Sequence, residues 1–406
     1  MKKCIIIPDS FKGTLSSIEV CNIIKEEVVK FFPTCEIHSI PIADGGEGTV
    51  DSFLYALSGE KVNMKVRNPF GEPIHAYYGK VGDRAIIEVA QVVGLPQVED
   101  RKNPAITTTY GVGQMVKHAI ENGCNDIIIG LGGSCTNDGG VGAAAALGTI
   151  FKNSAGEEFI PVGENLNDIS VIDNTVTRKL LKKCRITAMC DVDNPMYGRS
   201  GAAFVYASQK GADKEMIKML DKNLRHLCKR IEEDLEIDVS SIPGSGAAGG
   251  LGGGIVAFFG GQLKSGIETT LNLVEFDHII EDSDMIFTGE GRFDRQSLHG
   301  KAVMGIAKRA KLKNIPVTAI AGSIEGGVEE AYRSGLGAIF SINQKAEDFS
   351  ASRYHSKENL KATVKFGDGG WSFNYRPQRS NYRPQRFNLR PQISILIICR
   401  LSVKIR

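Results

Sequence analysis

The chain has 406 residues, 42% hydrophobic and 24% charged, with 49 Lys and Arg against 47 Asp and Glu, a formal net charge of +2. That composition excludes a disordered, collagen-like or disulfide-scaffold protein, and the near-neutral balance calls for no polyanionic partner such as nucleic acid. The length accommodates two domains, each able to bury its own core.

Residues 4–8 read as a buried strand, four apolar residues closed by a proline that cannot continue a ladder. Helical spacing follows over 15–32, through Val20, Ile23, Ile24, Val28 and Phe31, with Ser16 or Ser17 as its cap. A strand at 36–42 and a helix at 48–57 complete a β-α-β-α opening, the pattern of a parallel sheet with helices on its faces. From 61 to 89, alternation around the turn Asn68-Pro-Phe-Gly71 predicts antiparallel strands. A helix at 111–123, a buried strand at 126–130, a glycine-rich turn and an Ala-rich helix to Leu147 come next. A short strand at 186–189 and a glycine-dense stretch at 244–261 follow, the latter holding a close-packed helix.

The β-α rhythm then resumes, with strands at 285–288, 317–321 and 338–342 and helices at 301–311 and 325–334. Five strands of one parallel sheet thus come from the two ends of the chain. The expected architecture is α/β: residues 1–64 and 283–343 form a discontinuous parallel-sheet domain, and 65–282 an inserted α/β domain. An insertion returns the chain close to where it left, as this split requires.

Residues 344–406 break the pattern as an atypical tail. Residues 374–394 repeat one seven-residue unit three times, Asn-Tyr-Arg-Pro-Gln-Arg-Ser in its first copy. A proline in each copy excludes a regular helix, and the unit is too short to pack as a repeat. A translated non-coding repeat, reached by frameshift or truncation, is the preferred account, with a composition that suits disorder. The other account is a basic extension that touches RNA or anionic surfaces. Nothing after the last strand reads as the amphipathic helix that would complete a doubly wound sheet. Residues 345–406 carry 13 Lys and Arg against 4 Asp and Glu, which leaves residues 1–344 with 36 basic and 43 acidic residues. The body of the chain is acidic, and the near-neutral total comes from the tail.

Nine cysteines stand singly with no C-x-x-C pair. No signal-peptide pattern opens the chain, and no apolar run approaches the ~20 residues that span a bilayer. The expectation is a reduced, soluble, cytoplasmic protein without a membrane partner.

Four polar clusters sit where predicted strands end, the place where open α/β sheets bind ligands. The first, Pro8-Asp-Ser-Phe-Lys-Gly-Thr14, offers Ser10 and the compact charge of Lys12 to a phosphate or carboxylate. The second, Pro41-Ile-Ala-Asp-Gly-Gly-Glu-Gly-Thr49, places Asp44 and Glu47 around two glycines at a helix start, which suits a metal or a hydroxylated substrate. Helix capping by Asp44 is its bland alternative. The third, 130–140, runs Gly-Leu-Gly-Gly-Ser-Cys-Thr-Asn-Asp-Gly-Gly and opens a helix, whose N–H groups and dipole attract an anion. Gly132, Gly133, Ser134, Thr136 and Asn137 line it, and Asp138 has the reach for a cation. The fourth, Thr288-Gly-Glu-Gly-Arg-Phe-Asp294 with Gly300-Lys301, supplies Glu290 and Asp294 as Mg²⁺ or base carboxylates and Arg292 and Lys301 as phosphate neutralisers, against a bland alternative of surface ion pairing.

Asp191 and Asp193 follow a strand at i, i+2, so both point to one side, and Mg²⁺ takes one or two carboxylates with substrate phosphates. Residues 244–249 match G-x-G-x-x-G without a clear preceding strand, which makes close helix packing or a phosphate-contacting turn the better reading than a dinucleotide fold. No Walker A loop, H-x-x-x-H zinc spacing or G-x-S-x-G elbow is present. Carboxylates and Lys or Arg around glycine turns, with no evident covalent nucleophile, suit phosphoryl transfer, which needs positioning, Mg²⁺ and charge neutralisation.

Seven ordered stretches resemble those of the bacterial type I glycerate kinase family: Pro8-Asp-Ser-Phe-Lys-Gly13, Ala43-Asp-Gly-Gly-Glu-Gly-Thr49, Thr108-Thr-Tyr-Gly-Val-Gly113, Gly132-Gly-Ser134 with Thr136-Asn-Asp138, Gln209-Lys-Gly-Ala212, Gly246-Ala-Ala-Gly-Gly250 and Thr288-Gly-Glu-Gly-Arg292. They lie within residues 1 to about 342. Cys135 and Ser208 depart from the family's usual Ala and Pro, and neither change removes a charge. The resemblance implies a flavodoxin-like domain with an inserted α/β domain and an active site between them. It also implies ATP- and Mg²⁺-dependent phosphorylation of D-glycerate to 2-phosphoglycerate by direct transfer, in a monomer or homodimer.

In that scheme Lys12 and Arg292 hold the glycerate carboxylate or the γ-phosphate, and Asp191 or Glu290 binds Mg²⁺. Asp44 or Asp193 accepts the hydroxyl proton, the 132–138 turn cradles phosphate, and Ser10, Glu47, Asp294 and Lys301 contact substrate or phosphate. The competing readings are phosphorylation at the 3-hydroxyl and a non-catalytic phosphosugar- or organic-acid-binding regulator on the same fold. Nucleic-acid binding depends wholly on the tail.

Overall fold

The structure, a computed structural model, describes residues 1–43, 45–298, 301–343, 345 and 347–365. Its strands are, in chain order, β1 (Lys3–Pro8), β2 (Glu36–Ser39), β3 (Glu60–Arg67), β4 (Pro73–Val81), β5 (Arg84–Glu88), β6 (Asp126–Gly130), β7 (Ile150–Lys152), β8 (Glu158–Phe159), β9 (Val171–Asp173), β10 (Arg185–Met189), β11 (Gln262–Lys264), β12 (Met285–Phe293), β13 (Val317–Ile324) and β14 (Ala338–Ser341). The chain divides into two units, Met1–Ile42 with the chain from Leu271 onward, and Ala43–Thr270.

The first unit holds a five-stranded sheet in the order β14-β13-β12-β1-β2, parallel throughout. Helix Ser17–Phe31 starts on a reciprocal cap: the Ser16 hydroxyl accepts the Glu19 N–H, and the Glu19 carboxylate accepts the Ser16 N–H. Val20, Ile24 and Val28 of that helix meet Cys4 and Ile6 of β1 and Phe287 of β12 in one buried core. β12 and β13 run several residues past the expected ends at 288 and 321, so Glu290 and Arg292 are strand residues, paired in register with Ala321 and Ser323.

The second unit carries a six-stranded sheet in the order β11-β10-β6-β5-β4-β3. β5, β6, β10 and β11 run parallel, while β3 and β4 form the antiparallel edge expected from the alternation at 61–89. A small antiparallel sheet, β8-β7-β9, has no counterpart in the sequence expectations, because strands of two or three residues show no usable alternation.

Two expectations need correction. The domain borders fall at 42/43 and 270/271 rather than at 64/65 and 282/283. Helix Thr49–Leu57 sets Val50 and Leu54 against Gly79 of β4, and β3 pairs along its whole length with β4, so both belong to the second unit. The helix expected to be missing after the last strand is present at Ser356–Val364. Leu360 and Val364, one turn apart, are buried in the core that contains helix Ser17–Phe31. Two apolar anchors in nine residues are too few to stand out as a periodic pattern. The seven-residue repeats, with everything from residue 366 on, lie outside the described residues. Among those described, no helix is long and apolar enough to cross a membrane, and the cysteines carry no disulfide.

Candidate active site

In the first unit the sheet order reverses between β1 and β12, the switch point at which α/β sheets leave a crevice beyond their strand ends. The Asp9 N–H donates to the Gly289 carbonyl at 2.8 Å, which ties the loop after β1 to β12. A Cβ on Gly291 would lie 3.1 Å from the Lys12 nitrogen, so a glycine there lets the Phe11–Lys12 backbone run alongside the strand.

Glu290 is the buried acid of this place, 6% exposed, and its Oε1 has no hydrogen-bond partner. Burial pushes its carboxyl up to about 7; Asp9 and Asp294 push the same way, while Ser297 and the Lys301 charge pull it down. Asp294 is held locally, its Oδ1 accepting the N–H groups of Gln296 at 2.8 Å and Ser297 at 3.2 Å. Arg292 is exposed and pairs with Asp294 at 3.5 Å and with Glu325. Ser10 is half-buried and donates its N–H to Asp9 Oδ1 at 2.6 Å, and Lys12 is exposed. Lys301 is exposed at the N-cap of helix Ala302–Leu312. Gly300, the other half of that pair, lies outside the described residues.

In the second unit the ends of β5, β6 and β10 come together under the 45–48 turn. Gly132 N–H donates to the Gly45 carbonyl at 2.8 Å. A Cβ on Gly130 would meet the Gly45 oxygen at 2.5 Å, one on Gly132 would meet Gly46 Cα at 2.5 Å, and one on Gly45 would meet Met189 at 3.1 Å. The glycines of this sequence therefore close two turns onto each other. Glu47 is exposed at the surface of the turn, and Asp44 lies outside the described residues.

The 130–140 turn differs from its expected working in two ways. The helix it opens, Val141–Ala146, has only six residues. Its N-terminus is already filled by Asp138, which accepts the N–H groups of Gly140 at 3.1 Å and Gly142 at 3.4 Å, with the Thr109 N–H at 2.7 Å and hydroxyl at 2.8 Å. Asp138 is fully buried and staples the turn rather than reaching for a cation. Gly133 sits at φ +75, and the Ser134 hydroxyl oxygen accepts from Lys210, the lysine of the Gln209–Ala212 stretch. Thr136 Oγ1 and both ends of the Asn137 amide are buried without partners.

Asp191 Oδ1 accepts the Ser265 hydroxyl at 3.0 Å and the Gly266 N–H at 2.8 Å, which caps helix Gly266–Leu273. Asp193 is exposed. The turn around Gly246 packs on the carbonyls of Asn194 and Pro195, the close-packing alternative for the 244–249 glycines. Sequence reasoning missed Glu88 at the end of β5, 1% exposed, whose Oε1 has no partner and whose carboxyl burial pushes up to about 7. An acid closing the apolar run Ala85–Ile87 at a strand's carboxyl end was the available signal.

Among the described residues no three His, Cys, Asp or Glu side chains gather as a metal cage. Mg²⁺ needs only one or two carboxylates beside phosphates and water, and the orphaned buried oxygen of Glu290 fits that demand.

A model of the glycerate kinase family matches residues 4–366. A glycerate kinase from Bacillus cereus is 46% identical over 366 residues, covering 89% of this chain and 96% of its own length. A glycerate 2-kinase from Escherichia coli is 42% identical over 84% of this chain and 90% of its own. A crystal structure described as glycerate kinase 2 from Salmonella typhimurium LT2 superposes with a TM-score of 0.80 at 39% identity, covering 90% of this chain and 96% of that one.

Proposed function

Because the chain belongs to the glycerate kinase family and catalyses the phosphorylation of glycerate, we propose that it transfers the γ-phosphoryl group of ATP directly to the 2-hydroxyl of D-glycerate, with Mg²⁺. The observation that carries the metal reading is Glu290: buried, at the switch point, with one carboxylate oxygen unpartnered. The 2-hydroxyl reading takes its support from the 42% identity to a relative described as glycerate 2-kinase.

Glu290 holds Mg²⁺, with Asp191 as the second candidate. Mg²⁺ held there would supply charge neutralisation for the transferring phosphate. Lys12 and Arg292 hold the glycerate carboxylate or the phosphate, as their exposed charges permit. Ser10, Glu47, Asp294 and Lys301 contribute substrate or phosphate contacts. The 132–138 turn cradles phosphate through Gly132, Gly133, Ser134, Thr136 and Asn137, two of whose side chains carry buried unpartnered atoms. Asp138 keeps that turn in shape. Asp193 or Asp44 takes the hydroxyl proton as the phosphoryl group arrives.

Phosphorus NMR of the product from D-glycerate and ATP tests the regiochemistry: 2-phosphoglycerate is expected, and 3-phosphoglycerate overturns it. Near-normal kcat in both Asp191→Asn and Asp44→Asn, together with Glu290→Gln unchanged in its Mg²⁺ dependence, would sink the carboxylate scheme.

A further inference from the structure

Lys210 is 3% exposed, yet its ammonium lies against the glycine-rich turn, donating to Ser134 Oγ at 3.0 Å and to the Thr136 carbonyl at 2.7 Å. Both acceptors are neutral, and among the described residues no carboxylate accepts a hydrogen bond from it. The one carboxylate whose charge acts on it, Asp138, is already engaged by Thr109, Gly140 and Gly142. Cys135, the other group beside it, is pushed by burial up to about 12 and is a neutral thiol. A buried cation without a counter-ion is expensive, and an anion arriving at the turn would compensate it in a medium where charges interact strongly.

The hydrogen-bond direction points the same way. Because the Ser134 oxygen accepts from Lys210, the Ser134 hydrogen is turned elsewhere and is available to an incoming acceptor. The short helix after the turn cannot supply this attraction, since Asp138 occupies its N-terminus.

We infer that Lys210 is a positioning residue for a phosphate group, supplying from beneath the turn the positive charge and the Ser134 orientation that the turn needs to hold it. The inference rests on the proposal that the 132–138 turn cradles phosphate. That phosphate belongs to the nucleotide or to the phosphorylated product, and the two arms of the test separate these.

Calorimetric titration of the full chain compares ADP with adenosine, and 2-phosphoglycerate with glycerate. Lys210→Met is expected to weaken one phosphorylated ligand about tenfold or more and to leave its unphosphorylated counterpart within about twofold. A merely structural lysine would move both members of a pair together, and that result, or no change in either phosphorylated ligand, overturns the inference. Ser134→Ala separates the levels. If it weakens a phosphorylated ligand while Lys210→Met does not, the lysine assignment falls and the turn stands; if neither does, the turn reading falls too.

The unmodified protein gives a second measurement should Lys210→Met fail to fold. Burial pulls the Lys210 ammonium down to about 8, with Cys135 and Asp138 pulling it back up. Its charge is therefore lost as pH rises through about 8, and the preference for the phosphorylated ligand over its counterpart should shrink between about pH 7 and 9. Lys210→Arg, which stays charged, should keep that preference flat. A flat preference in the unmodified chain would overturn the inference.

Discussion

Glu88 Oε2 accepts the Val50 N–H at 3.4 Å, so an acid at the end of β5 reaches the first turn of helix Thr49–Leu57. Its other oxygen has no partner, and burial raises the carboxyl to about 7 against an ordinary value near 4.5. Between those values the folded chain binds a proton that the unfolded chain has released. Stability therefore falls as pH rises through this window and levels off above about 7.

Glu88→Gln removes the ionisation and keeps an acceptor for Val50. The variant should gain stability relative to the parent as pH rises from about 5 to 8, by about 3 kcal/mol at most. Urea unfolding midpoints at pH 5 and pH 8 check this. An unchanged difference between parent and variant across that range would show that Glu88 does not titrate differently on folding.

Asp138→Ala should be strongly destabilising, because four donors, from Thr109, Gly140 and Gly142, lose a buried acceptor at once. A cost of about 3–5 kcal/mol is expected, read as a drop in the denaturant midpoint. Ser134→Ala, which takes one of two acceptors from the buried Lys210 ammonium, should cost less, about 1.5–3 kcal/mol. Equal losses would contradict the stapling role.

Asp191 has two separable jobs. As the acceptor at the start of helix Gly266–Leu273 it is replaceable by Asn, which caps as well. Asp191→Asn should stay within about 0.5 kcal/mol of the parent, whereas Asp191→Ala should lose about 1 kcal/mol. If the charge also serves the phosphoryl step, kcat of the Asn variant falls about tenfold or more while its melting temperature holds. A kcat loss confined to the Ala variant would assign Asp191 to capping alone.

Leu360→Ala should cost about 2–5 kcal/mol, since the side chain is fully buried in the core that contains helix Ser17–Phe31. A chain ended after residue 366 keeps the whole family-matched span and should retain glycerate phosphorylation. One ended before Ser356 should lose stability by at least as much as Leu360→Ala. Thermal unfolding of the three chains side by side distinguishes these outcomes.

Much of the scaffold was legible because it is written in long local patterns. The apolar runs of β1, β6 and β12 and the spacing of Val20, Ile24 and Val28 show in any window of a dozen residues. The β-α alternation at both ends of the chain was enough for the discontinuous parallel sheet. The candidate site's outline was legible for a related reason: Gly130–Gly133 close a strand and turn, while Gly289 and Gly291 lie within β12, where the backbones of Ile320 and of Phe11–Lys12 approach closely. Helix Ser356–Val364 was not, having two apolar anchors in a core it shares with helix Ser17–Phe31, more than 300 residues away along the chain.

The charge arithmetic of the whole chain, +2, concealed an acidic body of 36 basic and 43 acidic residues, and the sequence alone determined that much. It also determined the fold class and the glycine turns, because both depend on neighbours along the chain. Which charges matter was decided only in three dimensions. Asp138, which sequence offered to a cation, turns inward to fill a helix start. Lys210, present in the linear reading only within the Gln209–Ala212 stretch, and Glu88, absent from it, become the buried titratable groups at two turns. Ionisation depends on solvent exclusion and on partners brought from distant segments, and no spacing rule records either.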